Sequence, residues 1–272
     1  MDSTELEKDS APPLIELLEQ RGIETVAFDI DNTVLDTDLL FHKTLYSLGL
    51  DIPAYFPFEV PLPCYEELSR VLENETYRIY YKNKRSPRLI AEQYREALRF
   101  YLTEQNFGEV TPDMEDTILW YQQRHYSTSP EAYRSTKDIL QLILDSGFKI
   151  GFNSHAQQDW TEMKISYISK LLDDFPELPF IAVPIENQKD PESWATLYEM
   201  TGTKAENVLT VGDNFNSDIL SAMKAGCRTL VWINKRGGEI PKDFLLEEDV
   251  HLYIIKNIAE LKDIGDEKRY II

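Results

Sequence analysis

Two pairs of aspartates follow apolar runs in this sequence, where they could bind a cation or transfer a proton. Asp29 and Asp31 follow the first run in TVAFDIDNT, and Asp213 and Asp218 follow a later run in NVLTVGDNFNSD. Carboxylates brought together at neighbouring strand ends repel one another unless a cation lies between them. Oxygen ligands with no His or Cys nearby favour Mg²⁺ over zinc. The four acids therefore predict a magnesium site, provided that the two strands are neighbours.

The elements that must position these acids read as alternating strands and helices. Continuous apolar runs predict parallel strands covered on both faces. They are TVAF, FKIGF, FIAVPI, NVLTVG, RTLVWI and HLYII. Helical patterns lie between them, for example from Pro191 to a stop at Gly202. The alternation predicts an α/β protein with a doubly wound, mostly parallel sheet.

One region, from about Leu39 to Ser129, reads as helices and loops only and predicts an inserted all-helical domain. Ligands of open parallel sheets bind beyond the carboxyl ends of the strands, so an insertion after the first strand would cover the site as a lid. The predicted organisation is a core at 12–37 and 130–272, a cap at 38–129 and a disordered tail at 1–11.

Composition narrows the class of protein. The 272 residues include 28 Lys and Arg against 48 Asp and Glu, so a net charge of −20 argues against nucleic-acid and anionic-membrane partners. The first residues lack the pattern of a signal peptide, and no long apolar run predicts a membrane span. Cys64 and Cys227 are too few for a disulfide framework. We expect a cytoplasmic protein.

Four motifs in order carry a resemblance to a known family. They are DIDNT at Asp29, Ser154 in IGFNSH, Lys189 in NQKDP, and GDNFNSD at Asp213. With them, the chain resembles the haloacid dehalogenase-like (HAD) superfamily of phosphohydrolases, in the branch whose cap follows the first motif. The resemblance covers about 25–265 and implies a Rossmann-like core.

The resemblance also implies a role for each motif residue. Asp29 would be the nucleophile that forms an aspartyl-phosphate, and Asp31 the general acid and base. This second acid separates phosphatases from the dehalogenases of the same superfamily. Thr33 would orient the loop, while Ser154 and Lys189 would hold the transferring phosphoryl oxygens. The implied ligands of Mg²⁺ are the Asp29 carboxylate, the Asp31 backbone carbonyl and Asp213, while Asp218 would position a water bound to the ion or act on the ion from outside its ligand shell.

Simpler interpretations of these residues remain open from the sequence. Asp29 and Thr33 could be ordinary turn residues, Lys189 a plain surface lysine, and Asp218 the N-cap of the following helix. Asn32 replaces the commonest glycine of the first motif but also tolerates left-handed backbone geometry.

Two positions next to the motifs depart from the family. Asp190 stands where the family usually has Pro, which bears on the assignment of Lys189. His155 stands where Asn is frequent, and could contact substrate, tune the pH dependence or have no chemical task.

Substrate choice should depend on the cap. A basic tract, YRIYYKNKRSPR, could attract an anionic substrate or be a solvated face; its cations are Arg78, Lys82, Lys84, Arg85 and Arg88. The sequence as a whole predicts a Mg²⁺-dependent hydrolase of a small phosphorylated metabolite. The alternatives are a phosphotransferase or mutase, and a non-catalytic regulatory or scaffolding protein that retains the fold.

Overall fold

The computed structural model describes residues 12–56, 62–82, 90–184, 187–242, 244–265 and 269–270. The predicted disordered tail, 1–11, lies outside these residues. The described chain divides into two compact units. The first contains the chain up to Leu35, Ala132–Thr161 and the chain from Ile165 onward; the second contains Asp36–Glu131 and Glu162–Lys164. Both main divisions fall two residues from the predicted boundaries of the insertion.

The strands of the described residues are β1 (Thr25–Asp29), β2 (Leu35–Asp36), β3 (Glu131–Ala132), β4 (Lys149–Ser154), β5 (Phe180–Ala182), β6 (Val208–Gly212), β7 (Thr229–Ile233), β8 (His251–Ile255) and β9 (Arg269–Tyr270). Seven of them form one sheet in the order β5-β4-β1-β6-β7-β8-β9. All neighbours in it are parallel except β8 and β9. The six predicted strands are confirmed, and so is the doubly wound α/β class.

Burial on both faces explains why these strands read as continuous apolar runs. All five residues of β1 are buried, and Phe28 stacks on Phe152 of β4 with ring centroids 6.0 Å apart. Helices cover the two faces, as parallel sheets require. They are α1 (Pro13–Gln20), α6 (Thr136–Asp145), α7 (Gln158–Leu171), α8 (Pro191–Thr201) and α9 (Ser221–Lys224).

Local signals set the limits of helix α8. The Asp190 carboxylate accepts a hydrogen bond from the Ser193 N–H at 3.0 Å and caps the helix, which then begins at Pro191. It ends at Gly202, whose φ of 65° is the left-handed geometry that glycine adopts readily. The departure from the family pattern at Asp190 therefore has a structural role as a helix cap.

The described residues of the second unit form helices and connecting loops, apart from Asp36 and Glu131, which belong to the two-residue strands β2 and β3. Its helices are α2 (Thr37–Asp51), α3 (Leu62–Lys82), α4 (Ile90–Gln105) and α5 (Pro112–Tyr126). Their apolar faces form a separate core that includes Leu45, Leu68 and Ile118. Helices α2 and α3 approach closely at Gly49, where an added Cβ would lie 2.3 Å from the Ser69 Oγ. No helix of the described residues is long and apolar enough to cross a membrane.

Candidate active site

The order of the strands brings the motif residues together. Strand β1 lies between β4 and β6, and its last residue, Asp29, pairs in register with Asn153 of β4. Ser154 is the last residue of β4, and Asp213 directly follows β6. Because the three strands are parallel, their carboxyl ends meet at one edge of the sheet. The condition on which the sequence prediction depended, that β1 and β6 are neighbours, is confirmed.

Lys189 lies buried at this edge and connects two of the acids. Its Nζ donates to Asp29 Oδ1 at 2.5 Å and to Asp218 Oδ1 at 2.8 Å. The same nitrogen lies 5.1 Å from the ring centroid of Trp194. Burial lowers the pKa of Lys189, but the attraction of Asp218 and Asp29 outweighs it and raises the pKa above its ordinary value. The alternative of a plain surface lysine is wrong, because the residue is only 4% exposed.

Three carboxylates form a cluster around this lysine. Asp29, Asp213 and Asp218 each place an oxygen within 4.8 Å of the others. Burial raises the pKa of Asp29 to about 7; Lys189 opposes this shift, while Asp218 and Asp31 add to it. The Oδ2 atom of Asp29 is buried and has no hydrogen-bond partner among the described residues. An acidic, oxygen-only donor set with an unsatisfied buried oxygen fits a hard divalent cation.

Asp213, the second member of the cluster, is held in place by a hydrogen bond to its backbone. Its carbonyl accepts a hydrogen bond at 3.0 Å from the indole N–H of Trp232, which belongs to β7. Burial raises the pKa of the Asp213 carboxyl well above its ordinary value, and Asp29 and Asp218 add to the shift, while Lys235 and Lys189 oppose it. One lysine in direct contact leaves the cluster with excess negative charge, which a cation would neutralise.

Asp218 lies inside a single π-helical turn, Phe215–Leu220, that joins the strand end to α9. Its Oδ2 accepts from the backbone N–H of Asn214 at 2.9 Å. The N-cap of this turn is Asn214, whose side chain accepts from the N–H groups of Asn216 and Ser217. The alternative that Asp218 is the N-cap is therefore wrong. The π turn was not predicted, and such turns are frequent at functional sites.

The loop after β1 presents the second acid. Asp31 Oδ2 accepts a hydrogen bond from the Ser154 hydroxyl at 3.0 Å. Asn32 has φ of 62°, which confirms that asparagine adopts the left-handed geometry expected at this position. Thr33 is fully buried, and its hydroxyl has no hydrogen-bond partner among the described residues. The interpretation of Thr33 as a turn hydroxyl bonded to backbone is therefore not supported.

Two further residues at this edge were missed by sequence reasoning. Asn153 is buried, and its amide donates to the Ser193 hydroxyl at 3.1 Å. Lys235, two residues after β7, donates to the backbone carbonyl of Asn32. The position of Lys235 two residues after a predicted strand could have indicated that it lies at this edge, but its partner could not be read from the sequence.

The structure gives His155 a contact with the loop before Lys189. Its Nε2 lies 2.7 Å from the Asn187 carbonyl oxygen, the distance of a hydrogen bond in which the imidazole donates. Half of the basic tract lies outside the described residues, since 83–89 are not included. Arg78 is exposed, forms an ion pair with Glu75 at 2.5 Å and lies 5.9 Å from the Phe100 ring centroid.

Of the two cysteines, Cys227 is a buried free thiol.

Comparison with known proteins places the chain in a family. Residues 63–232 match the family of haloacid dehalogenase-like hydrolases. The matched region includes Ser154, Lys189 and the pair Asp213 and Asp218, while Asp29 and Asp31 precede it. The chain therefore belongs to the haloacid dehalogenase-like hydrolases, as the four motifs predicted.

Individual relatives are distant in sequence. A curated protein, pyrophosphatase PpaX of Bacillus pumilus, is 23% identical over 241 residues, which are 85% of this chain and 95% of that protein. A HAD phosphatase from Thermococcus onnurineus has a similar structure, with a TM-score of 0.52, 18% identity and coverage of 91% of this chain and 100% of that chain. A 2-haloacid dehalogenase from Pseudomonas syringae has a TM-score of 0.50, 20% identity and coverage of 88% and 96%. The solved structures show a shared fold that serves more than one reaction.

Proposed function

We propose that the protein is a Mg²⁺-dependent phosphomonoesterase that acts on a small phosphorylated metabolite through an aspartyl-phosphate intermediate. The observation that carries the proposal is the acid pair formed by the last residue of β1 and the loop that follows it. Asp29 has one oxygen held by Lys189 and a second, buried oxygen with no partner among the described residues. Asp31, two residues later, is held by Ser154. A nucleophile with a second acid next to it supports phosphoryl transfer and hydrolysis over dehalogenation, which in this superfamily lacks that acid.

The proposed hydrolysis would proceed in two steps, each carried out by residues of the site. An Asp29 carboxylate oxygen forms a bond to phosphorus while the bond from phosphorus to the leaving oxygen breaks, and Asp31 gives its proton to that oxygen. Water then attacks the phosphorus of the aspartyl-phosphate and Asp31 takes a proton from the water. The bond between phosphorus and the Asp29 oxygen breaks, so inorganic phosphate leaves and the Asp29 carboxylate is restored. The Ser154 hydroxyl and the Lys189 ammonium would bind the phosphoryl oxygens, where negative charge develops.

The acid cluster supports magnesium as the cofactor. Asp29, Asp213 and Asp218 would hold the ion, with the Asp31 backbone carbonyl as the further ligand that the family resemblance implies. When bound, the ion would neutralise the acids and withdraw charge from the transferring phosphoryl group. A divalent cation would also favour the ionised form of Asp29, which burial disfavours in its absence.

A direct test measures phosphate and halide release with the same preparation. With Mg²⁺ present, we expect inorganic phosphate from p-nitrophenyl phosphate and from one or more members of a panel of sugar phosphates and nucleotides. We expect no chloride from 2-chloropropionate. Asp29→Asn should lose phosphate release, whereas the control Asp159→Asn, at an exposed position of α7, should keep it. Chloride release without phosphate release would refute the proposal, and formation of an isomeric sugar phosphate would favour the mutase.

The pyrophosphatase named among the relatives suggests one substrate to include in the panel. Inorganic pyrophosphate has a phosphate as its leaving group, so the same nucleophile and general acid would serve. If the rate with pyrophosphate is well above the rate with every monoester, the proposed substrate becomes an anhydride instead of a monoester.

A further inference from the structure

The loop after β7 has a closed, well-supported backbone. The Asn234 side chain donates to the Gly238 carbonyl and accepts from the Gly238 N–H, both at 2.7 Å. The Asn234 N–H donates to the Ile255 carbonyl at 2.7 Å, which ties the loop to β8. Lys235 therefore extends from a backbone that is fixed on both sides of it.

The ammonium of Lys235 connects this loop with two segments far away in the sequence. Its Nζ donates to the Asn32 carbonyl and, at 2.6 Å, to the Tyr133 hydroxyl. It also lies 3.9 Å from the centroid of the Tyr133 ring, a cation–π contact. The Tyr133 N–H donates to the Val34 carbonyl at 3.2 Å, so Tyr133 and Lys235 hold the same turn at two points.

The carbonyl that Lys235 binds belongs to the residue with unusual backbone geometry. Asn32 has φ of 62°, and a non-glycine residue keeps this conformation only where its surroundings favour it. Asn32 lies between Asp31 and Thr33, so the orientation of its peptide groups sets the direction of the acid that faces Ser154. A charged donor on its carbonyl is a stronger restraint than a neutral hydrogen bond would be.

We propose that Lys235 is a positioning residue for the reaction, which holds the Asn32 carbonyl and so keeps Asp31 aligned to transfer its proton. The proposal rests on the proposed function for the role of Asp31, but the restraint on the loop is a structural claim that can be tested without any substrate. The two hydrogen bonds of the ammonium link the Asn32 carbonyl to the Tyr133 hydroxyl, which supports a positioning role.

The test compares Lys235→Met with Lys204→Met, which removes the same charge from an exposed position before β6, at the opposite ends of the strands. If Lys235 acts through Asp31, kcat should fall roughly tenfold or more with little change in KM. The loss should be larger for phenyl phosphate than for p-nitrophenyl phosphate, because the poorer leaving group needs the proton more. When Asp31→Asn is already present, adding Lys235→Met should lower kcat little further, because the carboxyl group that Lys235 aligns has already been removed. Lys235→Arg should recover part of the rate.

Hydrogen exchange of the intact protein provides the second readout. Backbone amides of the loop from 30 to 35 should exchange faster in Lys235→Met than in the wild type or in Lys204→Met. Unchanged exchange would overturn the proposal, as would an equal loss of rate for both aryl phosphates or a full additional loss in the Asp31→Asn background. If the wild type releases no phosphate from any substrate, the proposed function fails, and the exchange result alone decides whether Lys235 holds the loop.

Discussion

The ammonium of Lys189 lies 2.5 Å from the carboxylate of Asp29, although 160 positions separate the two residues in the chain. Both side chains are almost fully buried, so the ion pair is little screened by solvent. The same nitrogen also binds Asp218, and it therefore supplies the positive charge in direct contact with two of the three clustered acids.

Replacing Lys189 by Met should destabilise the protein and abolish activity. The change leaves buried carboxylates without their ammonium, which typically costs about 3–5 kcal/mol in the free energy of unfolding. The loss should be smaller at low pH, where the acids take up protons. Denaturant unfolding at two pH values measures it, with Lys204→Met as the control. An equal loss at both pH values would contradict the assigned ion pairs.

Asp29→Asn should remove turnover and also change how stability depends on pH in metal-free protein. The folded pKa of Asp29, about 7, lies above its ordinary value of 3.8, so the folded state binds this proton more tightly than the unfolded state does. The stability from that proton is complete below the ordinary pKa and is lost as pH rises through the folded pKa.

The stability of the wild type relative to Asp29→Asn should therefore fall between about pH 4 and pH 7, by on the order of a few kcal/mol. Parallel denaturant titrations in chelator measure this difference. A constant difference across the range would show that Asp29 is not held in an unfavourable ionised state. For the turnover measurement on Asp29→Asn, mass spectrometry must first exclude deamidation at position 29, which would restore the nucleophile.

Magnesium should raise the melting temperature by roughly 5 °C or more at saturating concentration, because it binds the folded acid cluster and not the unfolded chain. The shift should be larger above the pKa of Asp29 than below it, since protons compete with the ion for the same oxygens. Differential scanning fluorimetry with Asp213→Asn as a comparison measures this. If Mg²⁺ raises the melting temperature of Asp213→Asn as much as that of the wild type, the ion binds elsewhere.

Gly212→Ala should disrupt the site, even though the substitution adds only a single methyl group. The new Cβ would lie 2.3 Å from the Cβ of Asp218 and 2.5 Å from its Oδ2, so the π turn must move. We expect a stability loss of about 1–3 kcal/mol and loss of phosphate release. Gly151→Ala is the matched control within β4, where the nearest atom is a flexible Leu197 methyl at 3.1 Å. Equal activity of the two variants would contradict the need for this close approach.

Asp31→Asn should lower kcat more for phosphate esters with poor leaving groups than for p-nitrophenyl phosphate, because Asp31 is the proposed proton donor. Rates for a series of aryl phosphates, plotted against the pKa of the released phenol, measure the effect. The slope should be steeper in the variant than in the wild type. Identical slopes would remove Asp31 from the proton transfer while leaving the nucleophile in place.

Much of this arrangement could be predicted from local sequence. The apolar runs predicted all six parallel strands of the core, because a strand buried on both faces admits few polar residues. The cap prediction at 84–88 concerns residues outside the described chain and stays a prediction. Helix α1 was missed, since eight residues beginning at Pro13 present too short a pattern to distinguish from a loop.

The sequence by itself determined that Asp29 ends one buried strand and that Asp213 directly follows another. It also determined that a helical segment is inserted between the first strand and the second of the core, and that side chains with oxygen ligands predominate near both acids. These properties depend on residue type and short-range spacing. The tertiary structure decided that Lys189 lies between Asp29 and Asp218, that Asp218 lies within a π turn, and that Lys235 holds the Asn32 carbonyl. The two lysine contacts depend on which strands are neighbours, and long-range packing of this kind leaves no periodic signal in the chain. The π turn is local, but a single turn is too short to show a helical period.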